Sequence, residues 1–271
     1  IHGTANQVAA AVAAPVVTLA VGTVVDWTPV LAALGLPADE PWRLVFVALA
    51  IGGVATTVAT YALSRGMELP DAGAEDRDLV GAARAEWQTI ALGVAVMGTL
   101  GFAWQGIFNF YQLFMESRGV APGTARNSLT LVFAMGVPAF TISGALADRL
   151  PTAKYLLGVA ATVVVLVFTL TIAPGTASLL AVSAALGYTV HSVFPAIDTF
   201  LLGSLPDHNR ASAYAVYSGG MMFAQAPGSW FVGKLAESGV PYVVTFRGLA
   251  AAVGVVVLLL VGMERAGRLP N

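Results

Sequence analysis

The sequence predicts an all-α integral membrane protein, a helical bundle with about eight transmembrane helices. Three observations predict it. The chain is 57% hydrophobic and only 10% charged, against about 25% charged residues in soluble domains. Its mean hydropathy is +0.79. Its apolar runs recur at lengths that cross a hydrocarbon core of about 30 Å at roughly 1.5 Å per residue.

Taken in order, Gly3 to Val25 carries no charge and closes on Asp26-Trp27, an acid and an interfacial aromatic, making a first span. The stretch from Thr28 to Pro41 holds Pro29, Pro37 and Pro41 and reads as a loop that cannot continue a helix. Leu44 to Ser64 is a second span, with Trp42-Arg43 at one end and Arg65 at the other. Residues 66–86 form the one long polar segment, expected as a cytoplasmic linker with a helix from Glu75 to Trp87. Six further spans follow: Trp87 to Met115, Asn127 to Ala147, Tyr155 to Ala173, Ser178 to Gly203, Ala211 to Gly233 and Tyr242 to Met263. Pro174-Gly175 splits the long run after Lys154, because proline and glycine end a helix there.

Eight crossings put the turns alternately on two sides. Of the 13 Lys and Arg residues, eight fall on one side: Arg65, Arg77, Arg84, Arg149, Lys154, Arg210, Arg265 and Arg268. The other side holds five, and the excess places the first group in the cytoplasm.

The sharpest motif is Gly144-Ala-Leu-Ala-Asp-Arg-Leu-Pro-Thr-Ala-Lys154, a charged turn wedged between two membrane-length runs. Gly144 is expected to let a neighbouring helix approach, and Asp148 to cap a helix N-terminus or pair with an arginine. The turn resembles the cytoplasmic loop between the eighth and ninth helices of major facilitator superfamily (MFS) transporters, G-x-x-x-D-R-x-G-[RK]-[RK]. Gly144, Asp148 and Arg149 match; Pro151 replaces the second glycine, and the basic end shrinks to Lys154. Arg210-Ala-Ser-Ala-Tyr214 is similar to the R-G-x-A start of the family's helix eleven, with Ala211 for glycine. Ala10-Ala-Val-Ala-Ala-Pro15 is similar to its G-x-x-x-G-P bend in helix five, with alanines for both glycines.

The resemblance implies an MFS-like fold seen from helix five to helix twelve, with the first four helices absent. Residues 1–65 are then the last two helices of the N-terminal half, 66–86 the inter-domain linker and 87–271 the six-helix C-terminal half. It also implies secondary active transport of a small solute by alternating access, coupled to a proton or sodium ion, with efflux one possible direction. The chain begins Ile-His-Gly and reads as a segment of a longer protein.

Candidate site residues lie on three spans. Gln105, Asn109 and Gln112 recur at helical spacing beside a stripe of Trp104, Phe108, Tyr111 and Met115. Amides in lipid need partners or water, so this stripe is either interhelical glue or a cavity wall. Gly93, Gly98, Gly101 and Gly106 would let the same helix bend. On the sixth span Tyr188, His191, Pro195 and Asp198 share one face. Asp198 is the one acid deep within a predicted crossing and His191 the one intramembrane histidine, so both are candidates for proton coupling or gating. The plainer readings are a neutral imidazole bonded to a backbone carbonyl, and a salt bridge from Asp198 to Arg149 or Arg210. Gln225 on the seventh span completes the expected cavity set of Trp104, Gln105, Phe108, Asn109, Gln112, Tyr188 and His191.

Composition also narrows the alternatives. Zero cysteines exclude disulfides and thiolate metal sites, and His2, His191 and His208 fit no metal-ligand spacing. No phosphate-binding loop and no basic nucleic-acid patch is present. No catalytic residue, metal or cofactor is therefore expected. The expected partners are a small-molecule substrate, a proton or sodium ion and the lipid bilayer, for a monomer in the cell membrane. Two other functions stay open: an intramembrane serine enzyme using Ser143 with His191, and a transport-incompetent fragment or sensor. A single cysteine at Leu150 should react with a membrane-impermeant maleimide only after cells are permeabilised; labelling of intact cells would reverse the orientation.

Overall fold

A computed structural model of the chain describes residues 8, 9, 12, 26–67 and 78–269. The chain forms two compact units, one of residues 12–74 and one of residues 1–11 with 75–271. The expected first span and the Ala10 to Pro15 bend lie almost wholly outside the described residues.

In the smaller unit, helix α1 (Thr28–Ala33) occupies part of the stretch expected as a loop. Pro29 sits in its first turn, where a missing N–H leaves no bond unmade. Gly35, at φ +66, stops the helix, and the Leu36 N–H bonds back to the Leu31 carbonyl at 2.8 Å. Proline ends helices but also starts them, and the sequence reading took only the first sense. Helix α2 (Arg43–Ser64) follows, 22 residues and so about 33 Å long. None of its residues is buried within its unit. A helix apolar all round suits a hydrocarbon surrounding. Arg43 over Trp42 and Arg65 over Tyr61 place a cation–aromatic pair at each end.

The larger unit is helical throughout its described residues. Helix α3 (Leu79–Ala85) is shorter than the expected Glu75 to Trp87; the Asp78 carboxylate caps it by accepting from the Gly81 N–H at 2.7 Å. Then come α4 (Trp87–Asn109), α5 (Tyr111–Ser117), α6 (Pro122–Ala134), α7 (Gly136–Ala147) and α8 (Thr152–Ile172). Helices α9 (Gly175–Ser204), α10 (Arg210–Gln225), α11 (Gly228–Glu237) and α12 (Tyr242–Arg265) complete it. Six stretches among the described residues are long and apolar enough to cross a membrane: α2, α4, α6 with α7, α8, α9 and α12.

Three expected spans are broken. The first breaks at Phe110 between α4 and α5, and the second at Met135 between α6 and α7. The third, Ala211 to Gly233, breaks at Ala226-Pro227, so neither α10 nor α11 alone has the length of a crossing. Pro227 has no N–H to give the Phe223 carbonyl, and its ring crowds the preceding turn. By contrast Pro195 sits inside α9 without ending it.

Helix α9 is the hub, packed on α6, α7 and α8, while α4 packs on α10, α11 and α12. Small residues set these distances. A Cβ at Gly98 would lie 2.7 Å from the Ala224 Cβ, and one at Gly106 would lie 2.6 Å from Val232. Gly228 in turn lies against the Phe102 carbonyl. The α4 glycines therefore serve contact with α10 and α11 rather than the expected bend, which falls at Phe110 beyond them. Gly144 is a further correction: a Cβ there would meet nothing within 4 Å. The close approach belongs to Gly187 of α9, whose missing Cβ is replaced by the backbone of Val132 in α6.

Polar side chains tie the same helices. Ser143 of α7 donates to the Ser192 carbonyl of α9 at 3.1 Å, so its 2.6 Å bond to Tyr155 of α8 uses the tyrosine proton. Tyr111 bonds Ser183, joining α5 to α9. At the far end of α8, Arg118 donates to the Ala173 carbonyl at 3.1 Å and Arg247 to Thr171 at 2.9 Å. Both cations there also offset the negative end of the helix dipole.

Gly187→Ala should therefore lower stability by about 1–3 kcal/mol, the range for overpacking, read as a lower thermal midpoint in detergent. Gly144→Ala should leave that midpoint unchanged or raised. Equal effects of the two would remove the assigned helix contact.

Candidate functional site

The expected site residues fall into three separate neighbourhoods. The first is aromatic and centres on His191, which is 1% exposed. Trp104 of α4 meets its ring edge to face at 5.3 Å, and Phe133 of α6 lies at 5.7 Å. Phe140 of α7 stands at 6.3 Å. The Nδ1 atom lies 2.6 Å from the Gly187 carbonyl. A carbonyl only accepts, so Nδ1 carries the hydrogen and Nε2 is the atom free to take another. Helix α9 supplies the acceptor from one turn earlier on the same face.

Beside this cluster runs a narrow cavity of about 40 Å³ between α4, α8, α9, α12 and the end of α10. Trp104, Phe108 and Gln225 line it together with valines 163, 167 and 253. Trp104 and Phe108 pack closely, with ring centroids 3.6 Å apart and the planes tilted by 44°. The volume is far below the roughly 300–1,000 Å³ of a ligand pocket. It admits little more than a few atoms. Three of the eight expected cavity residues meet here.

The polar stripe does not reach this cavity. Asn109 is exposed and donates to the Gln105 carbonyl at 2.9 Å, while Gln112 donates to Glu116 at 2.8 Å. These amides satisfy themselves within their own helices, and none of the three lines this cavity. Tyr188 also faces elsewhere, into an open groove with Lys154 and Tyr155.

The third neighbourhood joins α9 to α10. Asp198 accepts a 2.7 Å hydrogen bond from the Tyr214 hydroxyl, and Tyr217 packs beside Tyr214 at 5.4 Å. The expected partner Arg210 is taken by Asp207 at 2.6 Å and by the Leu205 carbonyl at 3.1 Å. Asp207 is three residues away in the same turn and exposed, so Arg210 reaches it without entering the membrane. His191 and Asp198, two turns apart on α9, are not brought together.

The loop motif is quieter than expected. Asp148 follows the end of α7, and α8 begins after Pro151 with no side-chain cap. Among the described residues the ion pairs are Arg43–Glu40, Arg210–Asp207 and Lys234–Glu237, so Asp148, Arg149 and Lys154 make none. Ser143, the nucleophile of the enzyme alternative, is 0% exposed and held by Tyr155 and the Ser192 carbonyl rather than by His191. Sequence reasoning missed Phe133 and Phe140, because aromatics on an apolar span carry no signal until a neighbouring helix gives them a partner.

The family comparison fits this architecture. The sequence pattern of the Major Facilitator Superfamily matches residues 97–271, from within α4 through α12. No curated protein and no solved structure matches the chain. With membrane-length helices, a broken helix pair before α12 and a family match over most of its length, the chain is a multi-pass membrane protein that belongs to the Major Facilitator Superfamily, a family of membrane transporters.

Proposed function

We propose that the chain works as a secondary active carrier of a small solute in the cell membrane, by alternating access with proton coupling. In this reading residues 87–271 are the six-helix half of the carrier, 1–65 belong to the preceding half and 66–86 link them. One boundary between the two compact units falls within residues 66–86, which supports that linker. Trp104, Phe108 and Gln225 form part of the substrate wall, an aromatic face suited to a planar or apolar solute. The 40 Å³ cavity is one edge of the site rather than the whole of it.

The observation that carries the coupling is the Asp198–Tyr214 hydrogen bond. It joins two helices through an ionisable group at membrane depth, so protonation changes how firmly they are held. A hydrogen bond to a charged group contributes about 1.5–3 kcal/mol, and a neutral acceptor keeps only part of that. His191 offers a second proton position at Nε2.

The sequence has no cysteine, so reporter thiols can be placed singly. Gly203 and Gly219 are exposed, a Cβ at either meets nothing within 4 Å, and each follows one partner of the bond by five residues. At each position a cysteine should react with an impermeant maleimide about tenfold faster at pH 5.5 than at pH 8, after normalisation to the unfolded chain at the same pH. Asp198→Asn should hold the rate at its acid value throughout. Rates indifferent to pH, or a pH dependence that survives Asp198→Asn, would sink the assignment.

A further inference from the structure

Two open spaces in the larger unit, both wider than the cavity at the substrate wall, lie away from it. One is a groove of about 480 Å³ between the end of α7, the start of α8 and the middle of α9. A second, about 490 Å³, lies between the start of α4 and the tail after α12. Both are at the same end of the bundle, because Leu92, Ala153, Leu156, Phe200 and Leu269 meet around a small cavity there. Each groove has one base in its lining, Lys154 in the first and Arg268 in the second, and neither has an acid.

In the first groove the polar side chains divide into two kinds. Thr162, Thr189 and Ser192 have their hydroxyl protons committed to carbonyls one turn back on their own helices. Tyr155 is bound to Ser143. Among the described residues the Lys154 ammonium and the Tyr188 hydroxyl make no hydrogen bond or ion pair. The groove therefore presents one ammonium and one phenol as free donors. The rest of its wall is apolar: Leu146 and Leu150, 40% and 41% exposed, flank one side and Gly158 and Val159 form the floor. Gly158 leaves the floor open, with nothing within 4 Å of where its Cβ would be.

Length matches this division. From Lys154 to Thr162 the groove follows α8 for about 12 Å at roughly 1.5 Å per residue. An anionic head would sit at the Lys154 end and an acyl chain would run down over Gly158. A basic pocket between transmembrane helices beside a charged loop is the chemistry that holds acidic lipid heads. A free phosphate would use only the top of the groove and leave its apolar floor uncovered.

We propose that this groove binds an anionic phospholipid in the leaflet on the Asp148–Arg149 side, with the phosphate on Lys154 and an acyl chain over Gly158. The proposal needs only the membrane placement of the helices and stands apart from the transport reading. The test is native mass spectrometry of the purified chain in detergent with equimolar phosphatidylglycerol and phosphatidylcholine. Phosphatidylglycerol should be retained about fivefold over phosphatidylcholine, the ratio one basic residue supplies near an anionic surface. Lys154→Glu should remove most of that preference. Gly158→Leu should reduce retention of both lipids while leaving the thermal midpoint unchanged, since its side chain fills empty space. Glycerol phosphate at millimolar concentration should not displace the lipid. Equal retention of the two lipids, a preference untouched by Lys154→Glu, retention untouched by Gly158→Leu, or displacement by glycerol phosphate would each overturn the proposal. The first two results would indicate a groove closed by another part of the protein or holding any lipid alike.

Discussion

Hydrocarbon offers no water to take up a spare hydroxyl proton, and that constraint runs through the whole bundle. Most polar side chains at depth find a partner inside the protein. Thr162, Thr169 and Thr189 bond to carbonyls in their own helices. Ser143, Tyr111, Arg118 and Arg247 instead reach neighbouring helices, and so become the ties between them. The Asp198–Tyr214 bond belongs to the same set, with the difference that one member can change its charge.

Close packing supplies the other half of the cohesion. With lipid as apolar as leucine, helices gain little from hiding apolar surface from one another, and small residues let backbones touch instead. Gly106 and Gly228 bring α4 to α11, and Gly187 brings α9 to α6. The same contacts explain how α10 and α11 tolerate a break at Ala226-Pro227: both short helices lie against one continuous partner, α4. A broken crossing also frees backbone carbonyls near Gln225, beside the cavity that Trp104 and Phe108 line. Discontinuous helices near a cavity are a recurring feature of transporter sites.

Much of this fold was legible because span length and apolar content are local properties of the chain. Leu44 to Ser64 and Tyr242 to Met263 were placed within about two residues of α2 and α12 by that reading. The family resemblance likewise rested on short motifs around Asp148 and Arg210, and the pattern match over residues 97–271 agrees with it. The site was less legible. Gln105, Asn109 and Gln112 looked like a wall because helical spacing aligns them, yet spacing does not say whether an amide turns outward or back onto its own helix. The four-residue rule that put Tyr188, His191 and Asp198 on one face was correct as geometry. It could not show that each meets a different neighbour.

Sequence alone determined the class, six membrane-length stretches and the family, since these follow from composition, run length and contiguous motifs. Tertiary structure decided which polar groups pair, which glycines are contacts and where the broken spans find support. The reason is distance along the chain. Asp198 and Tyr214 are 16 residues apart, Ser143 and Ser192 are 49 apart, and Arg247 and Thr171 are 76 apart. Only the packing of α9 against α7 and α10, and of α12 against α8, brings such pairs within a hydrogen bond.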